Sequence, residues 1–107
     1  MRVFADLQAL TKMADVIVTI QIMPESPDTD LNSIKRTAEN KIREFAKLNE
    51  EQAIKVEEEP LAFGLQVLKF YFYMNESIGG TEPLEEKLKK IAGVASAETT
   101  DVRRAIG

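Results

Sequence analysis

Residues 57–74, EEEPLAFGLQVLKFYFYM, constrain the fold of this chain more than any other segment. They contain both tyrosines of the chain and its only apolar run long enough for a central strand. From residue 62 to 74 the side chains alternate between two faces. One face carries Leu68, Phe70, Phe72 and Met74, and the other carries Leu65, Val67, Lys69, Tyr71 and Tyr73. This period of two predicts a strand with one core face and one face partly open to water.

The segments around this strand predict three more strands and two helices. Strands are predicted over residues 15–23, 53–57 and 95–102, with a turn at residues 58–60. An apolar stripe at three- and four-residue steps predicts a helix from Leu31 to about Leu48, capped by Asp28 or Asp30. A second helix is expected after Thr81 as its cap, with Gly93 ending it. The order β-α-β-β-α-β predicts a ferredoxin-like α+β sandwich, in which both helices cover one face of a four-stranded antiparallel sheet.

The composition removes several classes of function. The 107 residues include no cysteine and no histidine, which excludes disulfides, thiol nucleophiles and His-based triads or zinc sites. A net charge of −4 gives no field that would attract nucleic acid or an anionic membrane. No run approaches a membrane span, and no signal peptide is recognisable, so the cytoplasm is the default expectation. We expect no cofactor and no catalytic set, and therefore no enzyme.

Residues 1–12 stand apart from the rest of the chain. Their apolar side chains have helical spacing, and Met13 offers a second plausible start. We therefore expect an N-terminal extension over residues 1–12 and a single domain over residues 13–107, the length of one hydrophobic core.

One acidic pattern imitates a calcium loop. Asp28, Asp30, Asn32 and Glu39 fall at positions 1, 3, 5 and 12 of such a loop, but its sixth position is Ser33 where a Gly is needed. The same residues fit a capped amphipathic helix, so calcium binding is disfavoured. The triplet Glu57-Glu58-Glu59 has no second acid or nucleophile near it in the sequence, and we interpret it as a solvated turn.

Two other features suggest contact with a partner. Phe63 lies where the chain enters the long strand, so its ring either covers an edge of the core or projects into a pocket of a partner. Arg103 and Arg104 near the C-terminus are either solvated charges or side chains that contact an acidic or phosphate-bearing site of a partner.

Four segments together resemble one protein family. They are residues 22–28 (IMPESPD), 58–65 (EEPLAFGL), 79–82 (GGTE) and 101–104 (DVRR). In this order and at this spacing, residues 13–107 resemble the archaeal elongation factor 1-beta family. Leu61 is a mild departure, because the family usually has Ile there.

The resemblance implies a guanine nucleotide exchange factor for elongation factor 1-alpha, a GTPase of protein synthesis. It implies that Phe63 packs into a pocket of that partner. Eukaryotic relatives place a Lys near the C-terminus close to the magnesium site of the GTPase, and here the nearest cations are Arg103 and Arg104.

Two alternatives from other classes stay open at the level of sequence. Aromatic residues on the third strand of this topology suggest an RNA-recognition module, although Glu57-Glu58-Glu59 has the wrong charge for phosphate. A ferredoxin-like domain can also self-associate through its sheet and bind a small ligand.

Overall fold

The computed structural model describes residues 15–49 and 51–104, so the predicted extension over residues 1–12 lies outside the described residues. In chain order the elements are β1 (Asp15–Pro24), α1 (Leu31–Ala46), β2 (Lys55–Pro60), β3 (Gln66–Asn75), α2 (Glu82–Lys89) and β4 (Val94–Arg104). Short 3₁₀ turns occur at Ala62–Gly64 and Glu76–Ile78. The predicted order β-α-β-β-α-β is confirmed, and with it the ferredoxin-like α+β layout.

The four strands form one antiparallel sheet in the order β2-β3-β1-β4. The two most apolar strands, β1 and β3, are therefore its centre, with Val18 opposite Phe72 and Ile20 opposite Phe70. The charged strands β2 and β4 are the edges, which suits strands whose outer backbone groups are unpaired. We call the side of the sheet that carries the helices the helix face, and the other side the open face.

The core lies between the sheet and the helices. On β1 and β3 its residues come from alternate positions, as the sequence pattern predicts: Val16, Val18, Ile20, Ile22, Leu68, Phe70, Phe72 and Met74. Strand β4 adds Val94 and Ala97, next to a register irregularity between β1 and β4. The helices contribute Ile34, Ala38, Ile42 and Ala46 from α1, and Leu84 and Leu88 from α2.

Helix α1 begins because Asp30 caps it. The Asp30 carboxylate accepts hydrogen bonds from the backbone N–H groups of Asn32 (3.1 Å) and Ser33 (3.3 Å). Of the two predicted caps, Asp28 or Asp30, it is Asp30 that serves. Asn32 and Glu39 belong to the helix, which is incompatible with the ligand loop of a calcium site.

Helix α2 differs from the prediction at both ends. Thr81 occupies the cap position but makes no side-chain cap hydrogen bond; its hydroxyl lies 2.7 Å from the Thr99 hydroxyl on β4. The helix ends at Lys89, and Gly93, with φ of +91°, leads the chain into β4. The predicted stop at Gly93 is therefore a few residues too late.

The predicted turn at residues 58–60 is wrong. Strand β2 runs through Glu57, Glu58 and Glu59 to Pro60, and the chain reverses at residues 61–65. Clustered acids and a proline are typical of a turn, but in the sheet each glutamate has a partner on a neighbouring element: Tyr71 for Glu57, Lys35 for Glu58 and Lys69 for Glu59.

Candidate partner-binding site

The connection between β2 and β3 is a tight turn with Phe63 at its tip. The Leu61 backbone N–H donates to the Leu65 carbonyl (2.7 Å), and the Leu65 N–H donates to the Ala62 carbonyl (3.3 Å). Between these bonds the chain adopts a positive φ twice in succession, at Phe63 (+63°) and Gly64 (+79°). Glycine tolerates this conformation, but a residue with a bulky side chain rarely adopts it.

The Phe63 ring projects into solvent. The residue is 92% exposed, the highest value among the large hydrophobic residues in the described part of the chain. Of the two roles that the sequence leaves open for Phe63, covering a core edge is therefore wrong. The positive φ costs stability, and the exposed ring gains none from burial, so their combination at one residue motivates a functional explanation.

The acidic triplet ties β2 to its neighbours on both faces of the sheet. On the open face, Glu57 accepts a hydrogen bond from the Tyr71 hydroxyl (2.9 Å), and Glu59 lies 3.0 Å from the Lys69 ammonium. On the helix face, Glu58 pairs with Lys35 of α1. The prediction of a solvated turn for this triplet is thus replaced by a paired strand that leads directly into the Phe63 turn.

These contacts change the ionisation of three side chains. The hydrogen bond from Tyr71, followed by contact with Lys55, lowers the pKa of Glu57 below its usual 4.5. The same hydrogen bond raises the pKa of Tyr71 above 10.0, and the contact with Glu59 raises the pKa of Lys69 above 10.5. At neutral pH Glu57 and Lys69 are therefore charged and Tyr71 is neutral, so the Tyr71 hydroxyl donates its hydrogen bond to a carboxylate.

The loop between β1 and α1 lies beside the Phe63 turn. A Cβ atom placed on Gly64 would lie 3.7 Å from Pro27, and the Glu25 backbone N–H donates to the Gly93 carbonyl (2.9 Å). The segments over residues 22–28 and 58–65, far apart in the sequence, thus meet at one end of the sheet.

Arg103 and Arg104 lie at the opposite end, on different faces. Arg103 is opposite Ile17 on the open face and lies 2.8 Å from the Asp101 carboxylate. Arg104 is opposite Val16 on the helix face and lies 3.3 Å from the Glu76 carboxylate. The two arginines are adjacent in the sequence, but successive side chains of a strand point to opposite faces of the sheet, so they lie on different sides.

The structure does not bring Phe63 and the arginines together. Arg103 lies opposite Ile17, and Ile17 lies opposite Tyr73 near the end of β3. Phe63 lies at the other end of β3, just before its first residue, Gln66. Gln66 and Tyr73 lie about 23 Å apart along β3, at about 3.3 Å per residue. A single partner that touches both ends must therefore extend along the sheet.

Comparison with known protein families decides what kind of domain this is. A family model described as the EF-1 guanine nucleotide exchange domain matches residues 17–105. The chain belongs to the EF-1 guanine nucleotide exchange family. It is therefore a translation elongation factor that promotes guanine nucleotide exchange.

Curated relatives of this exchange domain bear the name elongation factor 1-beta. The protein of Methanothermobacter thermautotrophicus is 46% identical over 92 residues, which cover 86% of this chain and 98% of the relative. Those of Methanobrevibacter smithii and Methanosarcina barkeri are 45% and 42% identical over 92 residues, again 86% of this chain, and cover 98% and 99% of the relatives.

Features typical of other protein classes are not seen in the described residues of this exchange domain. Over residues 15–49 and 51–104, no group of three or more Asp, Glu, His or Cys side chains is arranged to hold a metal ion. Within the same ranges, no helix is long and apolar enough to cross a membrane.

Sequence reasoning on this exchange domain missed two features of its surface. It assigned no role to Tyr73, which is 53% exposed, and it did not pair Glu57 with Tyr71. Both depend on the register between strands, which the pattern of a single strand does not contain.

Proposed function

We propose that the domain exchanges GDP for GTP on elongation factor 1-alpha and that Phe63 is its anchor on that GTPase. The observation that carries this role is the exposed ring of Phe63 at the tip of a strained turn. Rigid aromatic side chains of this kind supply much of the binding energy at protein interfaces, because they fill a partner pocket at a low entropic cost.

The proposed mechanism is differential binding and involves no covalent chemistry. An exchange factor that binds the nucleotide-free GTPase more tightly than the GDP-bound form weakens GDP binding by the same factor. The paired strand β2 supports this task, because its contacts with Tyr71, Lys69 and Lys35 hold the Phe63 turn in place before the partner arrives.

We propose that Arg103 and Arg104 form a second contact at the far end of the sheet. Among the described residues, each makes a single exposed ion pair, Arg103 with Asp101 and Arg104 with Glu76. Exposed pairs contribute at most about 1 kcal/mol, so an anionic group of the partner could replace either carboxylate at little cost. Contacts at both ends would let the domain grip two separate parts of the GTPase.

The test is the rate of GDP release from elongation factor 1-alpha in the presence of the protein. Phe63→Ala should lower exchange at subsaturating protein by about tenfold or more, as expected for an interface anchor. Its fold should be unchanged, because the ring contributes nothing to the core. Asn40→Ala, on the exposed side of α1, is the matched control and should exchange like the wild type.

Two results would contradict the proposal in different ways. If the wild-type protein does not accelerate GDP release from a matched GTPase, the proposed function fails. If the wild type is active and Phe63→Ala is equally active, the role of Phe63 fails while the function stands.

We further propose that the protein works in the cytoplasm, where translation takes place, without direct contact with nucleic acid or membrane. The net charge of −4 supports the last two points, because phosphate-bearing surfaces would repel the chain.

A further inference from the structure

Strand β4 is an edge of the sheet, and a bulge divides it into two parts. It pairs with β1 on one side, and no strand of the described residues lies on its other side. A register shift lies between Thr99 and Asp101, where Thr100 is an extra residue in the ladder. From Asp101 to Arg104 the pairing with β1 is regular again. We call residues 100–104 the terminal edge.

The two parts of β4 differ in how their backbone is protected. Before the bulge, the Glu85 carboxylate of α2 accepts a hydrogen bond from the Thr99 backbone N–H (2.7 Å). On the terminal edge, by contrast, no side chain of the described residues bonds to the backbone. Unpaired N–H and C=O groups on a sheet edge are a template for another strand. The terminal edge is therefore the part of β4 that can accept one.

The side chains of the terminal edge are complementary to a second copy of the same segment. Asp101 and Arg103 lie on the open face, and Val102 lies between them on the helix face, where it is 53% exposed. In an antiparallel pair centred on Val102, Asp101 of each copy lies opposite Arg103 of the other, and the two Val102 side chains meet. Opposite charges and apolar pairs directly across two strands both stabilise their pairing.

The neighbouring registers that keep the helices of both copies on one side of the sheet lack this match. A pair centred on Asp101 would place two carboxylates opposite each other, and a pair centred on Arg103 would place two guanidinium groups opposite each other. Like charges directly opposite are destabilising. A pair centred on Thr100 would leave both charges without an opposite charge across the strands. The charges of the terminal edge thus favour the register centred on Val102.

We propose that a second copy of this chain pairs with the terminal edge, so that two four-stranded sheets join across a two-fold axis at Val102. The inference goes beyond the proposed function and does not depend on it. Arg103 lies 2.8 Å from the Asp101 carboxylate of its own strand, and this exposed ion pair exchanges partners at little cost. The paired segment is short, so we expect a weak dimer with a dissociation constant on the order of 0.1 mM.

The first experiment measures self-association by sedimentation equilibrium of the full chain at up to about 1 mM. Asp101→Arg and Arg103→Asp should each weaken association by about tenfold or more, because each places like charges opposite each other at the centre of the pair. Glu44→Arg is the matched control, since it makes the same change of charge on the exposed side of α1. It should associate like the wild type.

An equimolar mixture of the two charge variants tests the geometry of the pair. When Asp101→Arg meets Arg103→Asp, every charge at the centre again lies opposite one of the other sign. The mixture should therefore associate about as strongly as the wild type, although neither variant does so alone. The ion pair within a single strand is absent from both variants, so it cannot produce this result.

The second experiment tests the register and uses the absence of cysteine from the chain. Val102→Cys places one thiol of each copy at the two-fold axis, where the Cβ atoms are near disulfide distance, so mild oxidation should yield a linked dimer. Glu98→Cys lies on the same strand before the bulge and should link far more slowly.

Each of four results would overturn the proposal. They are a wild type that stays monomeric at about 1 mM, an Arg103→Asp variant that associates like the wild type, a mixture that stays monomeric, and a Glu98→Cys variant that links as fast as Val102→Cys. None of these measurements involves nucleotide exchange, so the proposed function is tested separately.

Discussion

At the scale of single residues, Phe63 shows a conflict between stability and binding. Its φ of +63° costs free energy, its exposed ring gains almost none from burial, and the described residues give the ring no packing role. Glycine is the residue that the backbone prefers at such a position, and it follows immediately as Gly64 with φ of +79°. A phenylalanine at the tip makes sense when the ring is used by a partner.

The backbone strain at Phe63 is measurable by comparing two substitutions that both remove the ring. Phe63→Gly should have a free energy of unfolding about 1 kcal/mol higher than Phe63→Ala, because only glycine adopts a positive φ without a steric penalty. Chemical denaturation measures the difference. Both variants should lose exchange activity to a similar extent, and equal stability would mean that the turn has no strain at this position.

At the scale of elements, strand β2 is held against β3 by the antiparallel backbone ladder and by pairs of its charged side chains. Within β2 only Val56 packs against the core, while Glu57, Glu58 and Glu59 are each paired across a strand or to α1. The pairs on the open face are solvent-accessible, so each contributes modestly, and their joint effect is to fix the register of β2 on β3. That register determines where the Phe63 turn lies.

The hydrogen bond between Tyr71 and Glu57 should be visible in a tyrosine titration. In a Tyr73→Phe background, which leaves Tyr71 as the only tyrosine, ultraviolet absorbance follows the Tyr71 phenolate. Glu57→Gln should move this titration to lower pH, because it removes the carboxylate that raises the pKa of Tyr71. An unchanged titration would mean that the two side chains are not bonded in solution.

The same bond predicts how stability depends on pH. The pKa of Glu57 is lowered on folding, so its contribution is present above about pH 4.5 and is lost as pH falls through the folded-state value. The pKa of Tyr71 is raised, so its contribution is present below about pH 10 and is lost as pH rises through the folded-state value. The difference in stability between wild type and Glu57→Gln should therefore be largest between these limits.

At the scale of the whole molecule, Phe63 and the two arginines lie at opposite ends of the sheet. The Phe63 end gathers the β2–β3 turn, the β1–α1 loop and the chain entering β4. The other end gathers the arginines, Glu76 and a cavity of about 370 Å³ at the start of α2, lined by Gly79, Gly80 and Thr81 among others. The stiff sheet between the ends fixes their spacing.

The Phe63 end depends on a close contact between distant parts of the chain. A Cβ atom at Gly93, where φ is +91°, would lie 2.7 Å from the Thr29 methyl carbon. Gly93→Ala should lower the free energy of unfolding by about 2 kcal/mol through this clash and the backbone strain. Adding Thr29→Ser, which removes the methyl and keeps the hydroxyl, should recover only the steric part. Full recovery in the double variant, measured by denaturation, would show that strain plays no role.

The sequence by itself determined the element order and the core, because alternation and helical spacing are local and their periods match the two faces of each element. It also singled out Phe63, and its motifs pointed to the family. It misplaced the turn at residues 58–60, because the partners that keep Glu57–Glu59 in a strand lie on β3 and α1.

Only the tertiary structure decided that Phe63 is exposed, that Arg103 and Arg104 face opposite sides, and that Tyr73, Ile17 and Arg103 share one row. Each of these depends on strand register and on which loops meet at an end of the sheet. Such long-range pairings have no local signature in the chain, since they arise only when the β-α-β units pack together.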